Sequence, residues 1–221
     1  MKKIAILVLV LFIPSVLYLW LQTGKNNFGK LQILGPKEPV EKTVDGKVMV
    51  DTIYHTVGGF SLLDQDSNLV NEQIATGKIS VVDFFFSTCK TICPKMTNQL
   101  MRVQHKYKGD ADVVILSFTV DPLNDTPSRL KEYAGRHNAV SGKWYFLTGD
   151  KKEIYDLARN SYFLTAMEGS GADPFLHSEQ MVLVDKQGRI RGIYDGTDHF
   201  EVKKLIEDIA VLQLEYAEKG N

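Results

Sequence analysis

Apolar and polar positions divide the chain into three regimes. The first is a near-continuous apolar run from Ile4 to Leu21, broken only by Pro14 and Ser15. An uncharged stretch of about 18 residues is long enough to span a bilayer. It ends in Tyr18-Leu19-Trp20-Leu21, and Tyr and Trp suit a membrane interface. A secretory signal peptide is the rival reading. Its apolar region is usually about 7–15 residues and closes on a small-residue cleavage site, and no A-x-A pattern follows here. Residues 1–22 are therefore read as an uncleaved transmembrane helix. The second regime, from Thr23 to Pro39, is rich in Gly, Asn, Pro and Lys and reads as a tether, extended to residue 47. The third, residues 48–221, alternates buried strands with amphipathic helices.

Within that third regime Val48 to Val57 reads as a strand or hairpin arm and Phe60 to Asp64 as a short strand. Asp64-Gln-Asp-Ser-Asn68 carries turn residues, and Leu69 to Thr76 leads through Gly77-Lys78 into a long apolar strand, Ile79 to Phe86. Pro94 to Tyr107 is helical, with Met96, Leu100, Val103 and Tyr107 forming a core-facing ridge. Asp112 to Val120 is a continuous buried strand. Pro127 to His137 is a second helix, with Thr126 placed to cap it and Pro127 suited to its first turn. Trp144 to Leu147 is a strand and Asp150 to Asn160 a helix. Gln180 to Asp185 and Arg189 to Tyr194 form a hairpin across Lys186-Gln-Gly188. Phe200 to Tyr216 closes the chain as an amphipathic helix. No internal repeat or low-complexity segment interrupts this order, which predicts an α/β domain with a mixed sheet.

Composition narrows the function. A length of 221 residues suits one domain with an appendage, and 44% hydrophobic content supports a real core. Lys+Arg of 26 against Asp+Glu of 27 leaves no electrostatic footprint for nucleic acid. The two cysteines, Cys89 and Cys93, are too few for a disulfide scaffold. They lie in Asp83-Phe-Phe-Phe-Ser-Thr-Cys89-Lys-Thr-Ile-Cys93-Pro-Lys-Met96, after the carboxyl end of a predicted central strand and at a helix start, where open α/β sheets place their sites. Four residues apart on a helix, two side chains share one face. Such a pair can close a disulfide, hold a soft metal, or do both in turn. Helix-start N–H groups and partial positive charge favour the thiolate, and Lys90 and Lys95 add charge nearby. The bland alternative is two buried cysteines acting as small hydrophobes.

Two thiolates leave a metal under-coordinated. Soft sulfur selects Cu(I), zinc or iron–sulfur clusters. The other donors to consider are His55, His105, His137, His177 and His199. His105 and His137 sit in polar helix contexts that read as surface. His199 beside Asp198 reads as a helix opening, and the context of His55 decides nothing. His177 ends Asp173-Pro-Phe-Leu-His177, the loop that feeds the strand from Met181. In a thioredoxin-like arrangement that loop faces the cysteine helix. Spacing alone leaves open whether His177 is a ligand. Asp83, inside a buried strand six residues before Cys89, reads either as a structural carboxylate or as a proton relay with a raised pKa.

Together these motifs are recognisable. Asp83 to Met96, Ser117-Phe-Thr-Val-Asp-Pro122 followed by Asp125-Thr-Pro127, and His177-Ser178 followed by Leu183-Val-Asp185 and Gly188-Arg-Ile-Arg-Gly192 resemble the SCO/SenC family. The likeness runs from about Tyr54 to the C-terminus. It implies a thioredoxin-like mixed sheet flanked by helices, behind an N-terminal transmembrane helix. It implies a copper chaperone or assembly factor that binds one copper, as Cu(I) or Cu(II), and helps metallate the CuA site of cytochrome c oxidase. Cys89 and Cys93 match the copper-binding thiols and His177 the third ligand. Asp121 matches an acidic residue near the site, against a plain reading as a turn-stabilising residue before Pro122. Implied partners are the oxidase subunit carrying the CuA site, an upstream copper donor and, through residues 1–22, the lipid bilayer. A thiol–disulfide oxidoreductase acting on an oxidase subunit or other extracytoplasmic protein is the alternative, since the same dithiol supports it. In the copper-binding case, oxidation of the pair to a disulfide would abolish binding, so thiol redox would gate transfer. Lys2 and Lys3 nearly tie with Lys25 and Lys30 on the positive-inside count, and the short N-terminal tail favours N-in. With no Arg- and Ser-rich transit peptide, the expectation is a single-pass protein of a bacterial inner membrane, its domain facing the periplasm.

Overall fold

The computed structural model describes residues 12–15, 29–44, 47–164 and 178–219. A central five-stranded sheet has the order β7-β6-β5-β8-β9. Its strands are β5 (Ile79–Phe85), β6 (Val113–Thr119), β7 (Trp144–Leu147), β8 (Gln180–Val184) and β9 (Ile190–Asp195). β5, β6 and β7 run parallel, while β8 pairs antiparallel with both β5 and β9. The sheet is mixed, as its element order predicts. β5 occupies the middle, and every residue of β5 and β6 is buried. That is why both strands read as near-continuous apolar runs rather than alternating ones.

Alternation along β5 sends its side chains to two cores. Ile79, Val81 and Phe85 face one layer with Met96, Leu100, Val103, Leu130 and Leu205. This layer is built from α1 (Ile92–Tyr107), α2 (Pro127–Arg136) and α4 (His199–Lys219). The expected ridge of Met96, Leu100, Val103 and Tyr107 is buried there. Val82 and Phe84 face the other layer, with Phe60, Leu62, Phe118, Ile154, Leu157 and Tyr162. There the cover comes from the short hairpin β3 (Ser61–Leu63) and β4 (Leu69–Asn71), and from α3 (Lys151–Asp156). The helix expected over Asp150 to Asn160 is α-helical only to Asp156 and widens into a π-helical turn over Leu157–Ser161.

The tight β8–β9 turn uses Gly188 at a φ of +75°, a conformation open to glycine at little cost. Buried Asp185 braces this turn. Burial alone would raise its carboxyl, but hydrogen bonds from Arg189 and Arg191 outweigh that and hold it below the ordinary carboxylate range. Arg191, 5% exposed, also bonds to Glu215 at 2.8 Å and to the carbonyl oxygen of Leu31 at 2.6 Å. Leu34 N donates to Ile190 O at 2.8 Å. Residues 31–34 are therefore fastened to the domain, although they fall in the stretch read as tether.

The same stretch contains a strand that composition concealed. β1 (Lys37–Val44) pairs with β2 (Lys47–Tyr54) as an antiparallel ribbon separate from the main sheet. Its alternating Lys and Glu and its Pro39 mimic a linker, whereas Val48 to Val57 showed the arm directly. Of the expected anchor, only residues 12–15 are described, as a short helical turn. Among the described residues no helix is long and apolar enough to cross a membrane. The rest of residues 1–22 lies outside the described residues.

Candidate functional site

β5 ends at Phe85, and the chain then turns before α1. Cys89 N donates to Phe86 O at 3.2 Å, closing a turn with Ser87 and Thr88 at its centre. α1 begins at Ile92, so one expectation is corrected. Cys93 lies in the helix, but Cys89 precedes it. The two side chains do not share a helical face. They are brought together because the turn folds the Cys89 sulfur back over the helix start. Thr91, the N-cap residue, makes no side-chain capping bond. The Cys89 Sγ accepts the Cys93 N–H instead, at 3.4 Å, and so satisfies one of the donors that a helix start leaves without an intrahelical partner.

The two thiols differ in environment. Cys89 is half-buried and Cys93 is buried, and neither is in a disulfide. Burial acts to raise the Cys89 thiol, but hydrogen bonds from Cys93 and Thr91 outweigh it and hold the thiol below its ordinary value. Burial pushes the Cys93 thiol far up, and the neighbouring Cys89 and Asp83 charges push the same way. The pair is therefore a thiolate-prone outer sulfur and a proton-retaining inner one.

Asp83 lies beneath the pair in β5, on the face that looks toward α1. Ser117, its direct neighbour in β6, donates its hydroxyl to Asp83 Oδ1 at 2.5 Å. Trp144 Nε1 donates to Ser117 Oγ at 2.8 Å. Burial pushes the Asp83 carboxyl up to about 7, only partly offset by the Ser117 hydrogen bond. The sequence left Asp83 either a structural carboxylate or a proton relay, and its burial with the Ser117 bond is compatible with both. No hydrogen bond joins Asp83 to either sulfur among the described residues. Neither Ser117, although it opens a family-like motif, nor Trp144 had a site role in sequence, since that role comes from strand register.

Asp121 is buried in the β6–α2 turn and accepts both contacts from Asn124 Nδ2, at 2.9 and 3.1 Å. Its carboxylate is engaged in bracing that turn. Asp125, which the sequence placed in a helix entry and in the family-like motif but in no site role, accepts the backbone N–H of Ser87 at 2.9 Å and also its hydroxyl. Two residues from Cys89, Ser87 thereby links the site loop to the opposite turn.

Four of the five histidines are described, and three of them have local contacts. His55 Nε2 lies 2.9 Å from Ser161 O, with its ring against Phe163. His137 packs on Tyr133, His105 is exposed, and His199 lies against Arg102 at the start of α4. Asp198 supplies the cap there, accepting Phe200 N at 2.6 Å. Among the described residues no group of three metal-ligating side chains forms. His177 lies outside them. The chain resumes at Ser178, whose Oγ accepts Gln180 N at 3.2 Å.

The fold has known counterparts. The SCO1/SenC family model matches residues 51–213. The SCO1 protein homolog of Bacillus subtilis is 32% identical over 166 residues, covering 74% of this chain and 86% of that protein. The solved structure of BsSco, described as a member of the Sco family of cytochrome c oxidase assembly proteins with a disulfide switch, aligns with a TM-score of 0.62. It is 32% identical over 72% of this chain and 93% of its own. ScoI of Arabidopsis thaliana, solved with copper bound, aligns with a TM-score of 0.58 and 28% identity over 72% of this chain and 99% of its own. With a family model spanning most of the domain and a dithiol carried on the same fold, this chain belongs to the SCO1/SenC family.

Proposed function

We propose that this chain is a copper-binding assembly factor for cytochrome c oxidase. Cys89, Cys93 and His177 hold one copper and help metallate the CuA site. The observation that carries the reading is the free dithiol: a sulfur held toward the thiolate just before α1, with the second sulfur in the first turn of that helix. Two soft donors suit Cu(I) better than a harder cation. Bound copper would supply the cargo, and this chain's residues supply the donor set and its redox gate. Closing the Cys89–Cys93 disulfide removes two of the three donors. Relatives of known structure support the metal, ScoI having been solved with copper bound. They also support the class of partner, BsSco being described as an oxidase assembly protein.

Support for His177 comes from the register of β8. Met181 pairs with Asp83 in antiparallel fashion, so the start of β8 lies at the end of β5 from which the cysteine turn departs. The reading extends to an N-in bilayer anchor over residues 1–22, a bacterial periplasmic location and an upstream copper donor, supported by the apolar run and the family. Metal analysis and optical spectra of the reduced full chain test the core of it. About one copper per chain is expected, lost in Cys89→Ala, Cys93→Ala and His177→Ala; retention in all three variants would end the reading. Membrane fractionation and protease protection test the anchor and its orientation.

A second reading, thiol–disulfide exchange on an oxidase subunit, is favoured by the unequal thiols. A half-buried, thiolate-prone sulfur beside a buried one suits attack followed by resolution. Turnover on a disulfide peptide, with and without Cu(I), separates the two. Exchange abolished by stoichiometric copper is expected if binding the metal is the principal task.

A further inference from the structure

We propose that Asp125 is a positioning residue for the dithiol: through Ser87 it holds the turn carrying Cys89 in the form where both thiols are free. The metal half of this inference rests on the copper-binding reading above, and the redox half does not.

Asp125 is fully buried, and a buried carboxylate is costly unless its lone pairs are taken up. Its donors come from two other segments. Ser87 gives both its backbone N–H and its hydroxyl, and Thr119 at the end of β6 gives its hydroxyl at 2.6 Å. None of these bonds serves the helix that Asp125 precedes. That role belongs to Thr126, whose Oγ1 accepts Arg129 N. The carboxylate therefore spans 38 residues of sequence to grip one residue of the site loop.

That residue is well placed to matter. Ser87 is the first central residue of the turn closed by Cys89 N to Phe86 O. Holding Ser87 at two points fixes where the turn delivers Cys89, and hence where its sulfur meets the Cys93 N–H. Val120 N to Phe85 O, at 2.8 Å, ties the same two segments one step earlier. Asp125 is then the last link from the sheet to the turn that carries Cys89. Carboxylates hydrogen-bonded by several donors make strong, directional contacts, which suits a positioning role better than an apolar plug would.

These hydrogen bonds are present while both thiols are free, and on this reading they stabilise that form over the disulfide, so loosening them should favour the disulfide. In that reaction Cys89 and Cys93 form one S–S bond and give two electrons and two protons to oxidised glutathione, which leaves as two reduced molecules. The test compares full-length chain, Asp125→Asn, Ser87→Ala and the double variant. It measures the equilibrium constant with glutathione, the thermal midpoint, and Cu(I) affinity by competition with a chromophoric chelator. Asp125→Asn should shift the constant toward disulfide by threefold or more. Ser87→Ala should do so in the same direction, and the double variant by less than the product of the two. Cu(I) affinity should fall by a similar factor with stoichiometry kept. Smaller shifts in both single variants, a shift toward the dithiol, or a lowered midpoint alone would overturn the proposal and leave Asp125 a fold residue. Should Asp125→Asn fail to fold, Ser87→Ala decides alone, since it deletes one hydroxyl and keeps the backbone bond. Absent Cu(I) binding in the parent chain, with the glutathione shift still present, would sink the copper reading and leave the positioning role standing.

Discussion

Cys89 Sγ accepts the backbone N–H of Cys93 at 3.4 Å, so a thiol does at the head of α1 what a Ser or Asp side chain does at other helices. The bond couples the acidity of one cysteine to the start of the helix that carries the other. It also makes the pair unequal: Cys89 is half-exposed and held toward the thiolate, while Cys93 is buried and held toward the thiol.

Alkylation should reveal this inequality. In metal-free reduced chain, iodoacetamide should modify Cys89 first. Its rate should rise with pH through a midpoint below that of an unperturbed thiol, about 8.5. Cys93 should stay protected until the chain unfolds. Peptide mass mapping across a pH series reads both, and equal rates at the two cysteines would refute the asymmetry.

Asp83 predicts a pH signature in stability. Its folded carboxyl is raised to about 7, against roughly 4 in an unfolded chain. The folded state therefore binds the extra proton between these values. Its contribution is fully present below about pH 4 and is lost as pH rises through about 7, with a total on the order of 4 kcal/mol. Denaturant unfolding of wild type and Asp83→Asn at pH 4 to 8 measures it. The difference in favour of the variant should grow across that window and level off above it. A pH-independent difference would show that Asp83 does not titrate there.

Arg191 predicts a large loss of stability with the site left intact. Its guanidinium is buried between Asp185 and Glu215 and also holds the Leu31 carbonyl. Removing one partner of a buried ion pair leaves the others without compensation, typically at about 3–5 kcal/mol. Arg191→Ala should lower urea stability by about that amount. Glu215→Gln, which keeps an acceptor for Leu31 N, should cost less. Cu(I) stoichiometry at low temperature should be unchanged in both, because this network is built on the β8–β9 turn rather than the cysteine turn.

Much of this protein follows from periodicity and residue type alone. Ile79 to Phe86 is a run of apolar residues too continuous for a half-exposed strand, and that is enough to put β5 at the centre of a sheet covered on both faces. The ridge from Met96 to Tyr107 identifies α1 and its buried side. Two cysteines four apart after that strand mark the candidate site before any fold is known. Those are local facts, set by which side chains can lie in water.

What only the tertiary structure decided is how distant residues meet. The strand β1 was hidden because its alternating charges carry no burial signal, and pairing with β2 makes it a strand. Cys89 reads as helical by spacing, yet the turn closed on Phe86 takes it off the helix and gives its sulfur a capping role. Asp83 shows as a buried acid in sequence, but its partner Ser117 and the indole behind it follow from the parallel register of β5 with β6. Asp125 looks like a helix entry until the β5–β6 pairing brings Ser87 to it. Sequence determined which groups are buried or reactive, because that depends on the residue and its near neighbours. Hydrogen bonds across 34 or 38 residues needed the sheet, because register and turn geometry set them and neither leaves a mark on composition.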